Sequence, residues 1–266
     1  MRNKISMFLD DDNVNIVIPG IYYVIQFFRN NISHKLHKLY IIIQLTNMDD
    51  LSLIFVCLDF NASDIQHIVN ITPPNTKYLC INNVIFINHR LRETYFDTII
   101  YRNTNSFHQC DENIRIQLYN EIKMLFVQQY DFVIFVGGEM YIYGKLFDKS
   151  KIFYSDYMSI VDDAKINIEC KHIYHTDYLH IILTIPEHTN MYGSAILINN
   201  SNGLSVQLYN QIIEHNISYI YIISCKYKCV INDYNMLKHK YTINKFIKIK
   251  SNYEIYLICY IAKISI

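Results

Sequence analysis

The sequence predicts an α/β protein in two parts: a strand-rich α+β segment over residues 1–104, then an open sheet with helices on both faces over residues 105–266. Three observations carry that expectation. Short apolar runs alternate with helix-spaced segments from about Asp131 onward. Each of those runs ends in polar residues, as strands of an open sheet do at their ligand-bearing edge. Before Asn105, by contrast, extended runs dominate.

Taken in order, KLYIIIQL and LSLIFVCLDF flank TNMDD and read as two strands joined by a short loop. Residues 21–36, directly after Gly20, have apolar spacing that allows a helix. KYLCINNVIFINHR and YFDTIIYR read as further strands divided by polar turns. From Asp111 to Gln129 an acidic start precedes Ile114, Leu118, Ile122, Leu125 and Phe126, which fall on one helix face. The apolar run FVIFVGG, 132–138, leads into a helix-compatible stretch through Phe147. KIFYSD is a strand ending in Asp156, and YMSIVDDAKINIEC has helical spacing. HIYHTD, SAILINN and YIYIISC are three more short strands; KFIKIK and YEIYLICYIA close the chain as a pair.

Such a sheet binds its ligand beyond the carboxyl ends of its strands. Asp156 stands after the second strand of the sheet, where an acid can hold the two ribose hydroxyls of an adenosyl ligand. Asp177 stands after the third, where a carboxylate can meet an adenine amino group.

Composition bounds the rest. The chain has 266 residues, 51% of them hydrophobic, enough to bury a core. Lys and Arg number 24 and Asp and Glu also 24, so bulk charge does not hold this protein on nucleic acid and any RNA contact is local. Heavy use of Ile, Asn, Tyr and Lys points to an AT-rich coding sequence, of a kind found in viruses, and carries no function. Seven scattered cysteines suggest free thiols in a reducing compartment, hence a cytoplasmic protein. MRNKISMFLDDDN lacks the apolar core of a signal peptide, and runs such as 255–262 are too short to cross a bilayer. The expectation is a soluble monomer without a membrane.

In chain order, several segments resemble the RNA (uracil-5-)-methyltransferases, enzymes that use S-adenosyl-L-methionine (SAM) to make 5-methyluridine in tRNA and ribosomal RNA. NSFHQCDENIRIQLYNEI, 105–122, is similar to the family's S-F-x-Q-x-N followed by a helix with L-Y; Ser106, Phe107, Gln109, Leu118 and Tyr119 match. VIFVGGEMYIYG stands where the family has a strand and a glycine-rich Y-C-G-x-G turn, with Glu139 on the second glycine. KIFYSDYMSIVDDAKIN resembles the next strand, its acidic end and a helix with A-x-x-N at Ala164 and Asn167. SAILINNSNGL lies where the family has D-P-P-R-x-G-L, so Asn199 replaces its aspartate. YIISCKYKCVINDYNMLK is similar to the segment carrying S-C-N-P, and SNYEIYLICYI to a shortened H-x-E segment. RNKISM resembles an F-R-N-K segment near the start of the family's central domain.

The resemblance implies a class I SAM-dependent methyltransferase domain, Rossmann-like, with SAM as cofactor and RNA, tRNA above all, as partner. It implies Cys225 as nucleophile and Glu254 as general base. Gln109, Gly137, Gly138, Asp156 and Asp177 would hold SAM, and Asn199, Lys226 and Lys228 the substrate.

The residues support parts of this chemistry on their own account. Uracil carbon 5 is a poor nucleophile until a thiolate adds at carbon 6, after which a base must remove the carbon 5 proton. Cys225 follows an apolar strand, and Lys226 and Lys228 supply the positive charge that favours a thiolate. Three readings are open to it: packing, a metal site with Cys229, or a nucleophile. C-x3-C is a poor zinc spacing with no second Cys/His pair behind it. Apolar neighbours of Glu254 can raise a carboxylate's pKa towards neutrality. Asn199 can accept from a uracil N–H and donate to the adjoining carbonyl. Lys226, Lys228, Lys238, Lys240, Lys245 and Lys248 belong to the chain's one basic patch. The alternative to an RNA-methylating enzyme is a degenerate, non-catalytic RNA-binding relative, favoured by the eroded glycine, proline and aspartate motifs.

Overall fold

The computed structural model describes residues 4–8, 19–32, 39–95, 98–106, 112–125, 130, 132–145, 150–170, 172–177, 182–183, 193–200, 202–251 and 253–263. The chain divides into two compact units, residues 1–104 with 110–112, and residues 105–109 with 113–266.

The first unit holds β1 (Lys4–Phe8), α1 (Pro19–Asn31), β2 (Tyr40–Leu45), β3 (Leu51–Val56), α2 (Ala62–Ile71), β4 (Thr76–Ile81), β5 (Val84–Asn88), β6 (Leu91–Tyr95) and β7 (Thr98–Arg102). Strands β1 to β5 form one sheet in sequence order, and β6 pairs with β7. Only β3 and β4 run parallel, since α2 carries the chain back between them. That helix was not among those expected from the spacing. Its start is fixed by a capping box, in which Asn61 accepts from the Asp64 N–H and Asp64 from the Asn61 N–H. Asn82 and Asn83 take φ of +48° and +67° between β4 and β5, the left-handed pair that matches the twist of a tight hairpin. Ile21, Ile25 and Phe28 of α1 pack with Ile41, Leu53 and Phe55 of the sheet.

The second unit contains α3 (Glu112–Leu125), β8 (Phe132–Gly137), α4 (Met140–Lys145), β9 (Ser150–Ser155), α5 (Met158–Asn167), β10 (Ile173–His175), β11 (Ser194–Asn199), α6 (Val206–Glu214), β12 (Tyr219–Ser224), α7 (Tyr227–Leu237), β13 (Tyr241–Lys250) and β14 (Glu254–Ala262). Its seven strands are ordered β10-β9-β8-β11-β12-β14-β13. The first five are parallel and β14 is antiparallel to both neighbours.

β8 and β11 are buried along their whole length. Their unbroken apolar runs are therefore what a sheet covered on both faces requires. On one face Val136, Ile198, Ile222 and Ile258 pack with Leu208 of α6 and Leu237 of α7. The other face carries the stacked pair Phe135 and Phe153, whose ring centroids are 5.0 Å apart. Gly144 of α4 lies against Phe153, so close that a Cβ would stand 2.4 Å from the ring. Among the described residues no helix is long and apolar enough to cross a membrane.

Candidate functional site

The strand order reverses between β8 and β11, so a crevice opens where their carboxyl ends diverge. Gly137 ends β8 directly opposite Asn199 at the end of β11. Its φ is +102°, and a Cβ there would stand 2.1 Å from the Asn199 carbonyl oxygen. No other residue fits. The Gly138 N–H donates to that carbonyl at 2.9 Å, and Asn199 Nδ2 donates to the Gly138 carbonyl, also at 2.9 Å. The asparagine thus laces the turn to the neighbouring strand, a role that its place in the sequence did not reveal.

Glu139 follows in the left-handed region, φ +59°, and is completely buried. Its Oε1 accepts from the Tyr119 hydroxyl at 2.9 Å and its Oε2 from the Tyr143 hydroxyl at 3.2 Å. These bonds offset the burial of a carboxylate and the strain of that backbone. Burial, with the glutamate charge behind it, pushes the Tyr143 hydroxyl well above its ordinary range.

Asp156 comes directly after β9 and Asp177 two residues after β10, both exposed at the same edge. His175 Nε2 donates to the Asp156 carbonyl at 3.2 Å. Desolvation raises the Asp156 carboxyl, the Asp177 charge adds to that, and His175 pulls the other way. The pair makes an acidic corner beside the glycine turn, with acceptors for hydroxyl and amino groups. Gln109 lies outside the described residues.

Cys225 is exposed immediately after β12. The buried Ser224 donates through Oγ to the Lys226 carbonyl and accepts from the Lys226 N–H, both at 3.2 Å. That clasp spans Cys225. Lys226 is the N-cap of α7, and both Lys226 and Lys228 are exposed. Cys229, in the first turn of α7, is half-buried.

Tyr256 of β14 pairs with Ser224, so Glu254, two residues earlier on the same face, arrives at the edge where Cys225 sits. The environment of Glu254 differs from the expected one. Lys248 Nζ lies 2.7 Å from its Oε1 and the Tyr256 hydroxyl donates to its Oε2 at 2.5 Å. The Lys248 hydrogen bond, then that of Tyr256, hold the Glu254 carboxyl below the usual glutamate range rather than above it. Cross-strand pairing decides this: Lys248 stands opposite Tyr256 and Lys250 opposite Glu254, neighbours that are remote in sequence pattern.

Two further buried acids support the edge. Ser106 donates to Asp163 of α5, and Asn167 donates to the Asp163 carbonyl at 2.7 Å. Asp233 of α7 is 1% exposed and accepts from the Leu204 N–H through Oδ1 at 2.8 Å. Its Oδ2 is buried without a hydrogen-bond partner among the described residues. Gly203, φ +76°, permits the approach, because a Cβ there would stand 2.8 Å from Oδ1. Burial pushes the Asp233 carboxyl up to about 6, against the pull of the Leu204 hydrogen bond. Nothing in the residue's polar-apolar spacing marks it.

No protein-family model matches the sequence, and no curated protein matches it. Solved structures do. The Pyrococcus abyssi tRNA (uracil-54, C5)-methyltransferase, solved with S-adenosyl-L-homocysteine, superimposes with a TM-score of 0.73 at 14% identity, over 98% of this chain and 76% of that one. A dimethyladenosine transferase from Plasmodium falciparum gives 0.43 at 12% identity, over 55% of this chain and 62% of that one. The B. subtilis m1A22 tRNA methyltransferase gives 0.40 at 11% identity, over 58% and 67%. The first likeness, together with the strand order, establishes that this protein has the Rossmann-like α/β fold of the class I SAM-dependent methyltransferases.

Proposed function

We infer that this protein is a SAM-dependent RNA methyltransferase that forms 5-methyluridine, with tRNA as its preferred substrate. One observation carries the reading: an exposed cysteine at the end of β12 and an ionised glutamate at the start of β14 share one edge of a methyltransferase-type sheet. Adjacent strands lie about 4.8 Å apart, so both groups can reach one pyrimidine ring.

The donor set suits the cofactor. Asp156 and Asp177 offer acceptors to ribose hydroxyls and an adenine amino group, and the Gly137–Gly138 turn lets backbone approach a ligand closely. Gln109 completes this group from the sequence resemblance alone. When bound, SAM supplies the electrophilic methyl group.

Cys225 adds as a thiolate to uracil carbon 6, forming the S–C6 bond and leaving carbon 5 nucleophilic. Lys226 and Lys228 keep the surroundings of that sulfur positive and contact the RNA backbone. Asn199 has a second amide hydrogen and an Oδ1 for the uracil edge. Once carbon 5 carries the methyl group, Glu254 removes its remaining proton, the C5–C6 double bond re-forms and the thiolate leaves. The hydrogen bonds from Lys248 and Tyr256 keep Glu254 ionised, which is the form that takes a proton.

The test combines tRNA, labelled SAM and three proteins. Wild type transfers methyl groups, and Cys225→Ala transfers none while still binding tRNA. Glu254→Gln accumulates a protein–RNA adduct that survives denaturing electrophoresis. Methyl transfer by Cys225→Ala would sink the covalent mechanism. A second reading, a non-catalytic RNA-binding relative, draws on the buried Glu139 at a family glycine position; absence of SAM binding in calorimetry would favour it.

A further inference from the structure

From Cys225 outward, the start of α7 and the neighbouring face of β14 and β13 carry a row of aromatic rings. Tyr227, two residues past the cysteine, lies 5.6 Å centroid to centroid from Tyr256, and Tyr256 lies 6.0 Å from Phe246. The interplanar angles are 49° and 43°, so the rings splay instead of closing into a stack of their own. Tyr256 is buried between its neighbours, whereas Tyr227 is 57% and Phe246 47% exposed.

Large aromatic side chains left this open on a folded surface are concentrated where another flat group is meant to lie. Tyr256 is held from below: its hydroxyl donates to Glu254, and Lys248 Nζ sits 5.8 Å from its ring centroid. The middle ring is therefore rigid and its two neighbours are free to receive. Lys226 and Lys228 flank Tyr227 in the chain, and Lys248 and Lys250 stand opposite Tyr256 and Glu254 on β13, with Lys248 paired to the Glu254 carboxylate. Exposed rings with cations beside them have the two elements of a single-stranded nucleic-acid site: stacking for the bases, and charge for the phosphates. A protein partner would be served by the rings but not by four lysines beside them.

We propose that Tyr227 and Phe246, held apart by the buried Tyr256 between them, form a stacking platform for the unpaired nucleotides that flank the target uridine. It rests on the reading of the chain as an RNA methyltransferase and assigns the part of the RNA it grips: a single strand or splayed loop, not a duplex. Phosphates of that strand run past Lys228 and Lys250, and the row's inner end delivers the uridine to Cys225. Recognition by stacking tolerates any base. Selection of the uridine then falls to the crevice and not to the platform.

The experiment uses the full chain and a single-stranded RNA heptamer with a central uridine and 2-aminopurine beside it, at fixed salt. Stacking quenches the 2-aminopurine when wild type binds, and an abasic site in its place weakens binding by about tenfold. Tyr227→Ala and Phe246→Ala each weaken the intact heptamer by about tenfold, lose the quenching and no longer sense the abasic site. Tyr227→Phe keeps all three properties. Lys228→Ala weakens both RNAs equally and flattens the salt dependence. Wild-type affinity and quenching in both alanine variants would overturn the platform, as would a wild type that ignores the heptamer. Calorimetry with S-adenosyl-L-homocysteine separates the two claims. A wild type that fails to bind it counts against methyl transfer, and the heptamer measurements still judge the platform.

Discussion

Replacing Asp233 with asparagine removes one buried charge and keeps its hydrogen bond, because an amide Oδ1 also accepts from the Leu204 N–H. The carboxyl titrates at about 6 in the folded protein against 3.8 as its ordinary value. The native state therefore holds this proton more tightly than the unfolded chain does. Stability from this group is fully present below about pH 4 and is lost as pH rises through about 6. The penalty is about 1.6 kcal/mol at pH 5 and about 3 kcal/mol at pH 8. Asparagine carries none of it, but adds an N–H pair where Oδ2 has no partner, at a fixed cost of about 1–3 kcal/mol. Comparing two pH values cancels that fixed cost. Urea titrations of wild type and Asp233→Asn at pH 5 and pH 8 are expected to diverge by about 1.4 kcal/mol, in favour of the variant at the higher pH. Parallel pH profiles would refute the assignment of the titration to Asp233.

Gly137→Ala forces a Cβ against the Asn199 carbonyl at positive φ, and is expected to cost at least about 2 kcal/mol in thermal or urea unfolding and to abolish cofactor binding. An alanine variant of wild-type stability would show that the turn relaxes freely. Lys248→Ala takes away the hydrogen bond that holds the Glu254 carboxyl down, so the acidic limb of the pH–rate profile is expected to move to higher pH. An unmoved limb would mean that Glu254 is not the base that the profile reports.

The strands were the legible part of this chain, and for a physical reason. β8 and β11 are buried on both faces, so burial writes FVIFVG and SAILIN as unbroken apolar runs. Helices α2 and α6 went unread because each is short and its start is marked only by polar capping side chains, Asn61 with Asp64 or Ser205 alone, within Asn- and Ser-rich sequence. Strand β13 begins at Tyr241, four residues before the KFIKIK run, because edge position exposes much of it and blurs the pattern. The sheet-edge positions of the candidate residues were legible, and their environments were not. Cys225 and Glu254 could be placed by motif order, whereas the pairing of Glu254 with Lys248 depends on strand register. The engagement of Asn199 with Gly138, the tyrosine clasp on Glu139 and the burial of Asp233 likewise arise from contacts between separate elements.

The position of β14 has a consequence for how this protein is made. It is the last strand of its sheet to be synthesised, yet it lies between β12 and β13 and not at the rim. β12 is complete at Ser224 and β14 at Ala262. At about 5–20 residues per second of translation, the edge of β12 beside the cysteine stays open for roughly two to eight seconds. During that interval β12 offers a row of unpaired backbone groups and apolar side chains to any strand it meets. The hairpin formed by β13 and β14 must then dock as a unit, and only its arrival delivers Glu254. Ribosome-bound chains halted at Lys250 are accordingly expected to be captured by chaperones and digested readily, and chains extended past Ala262 to resist both. Equal resistance at the two lengths would mean that the sheet closes without its late inner strand.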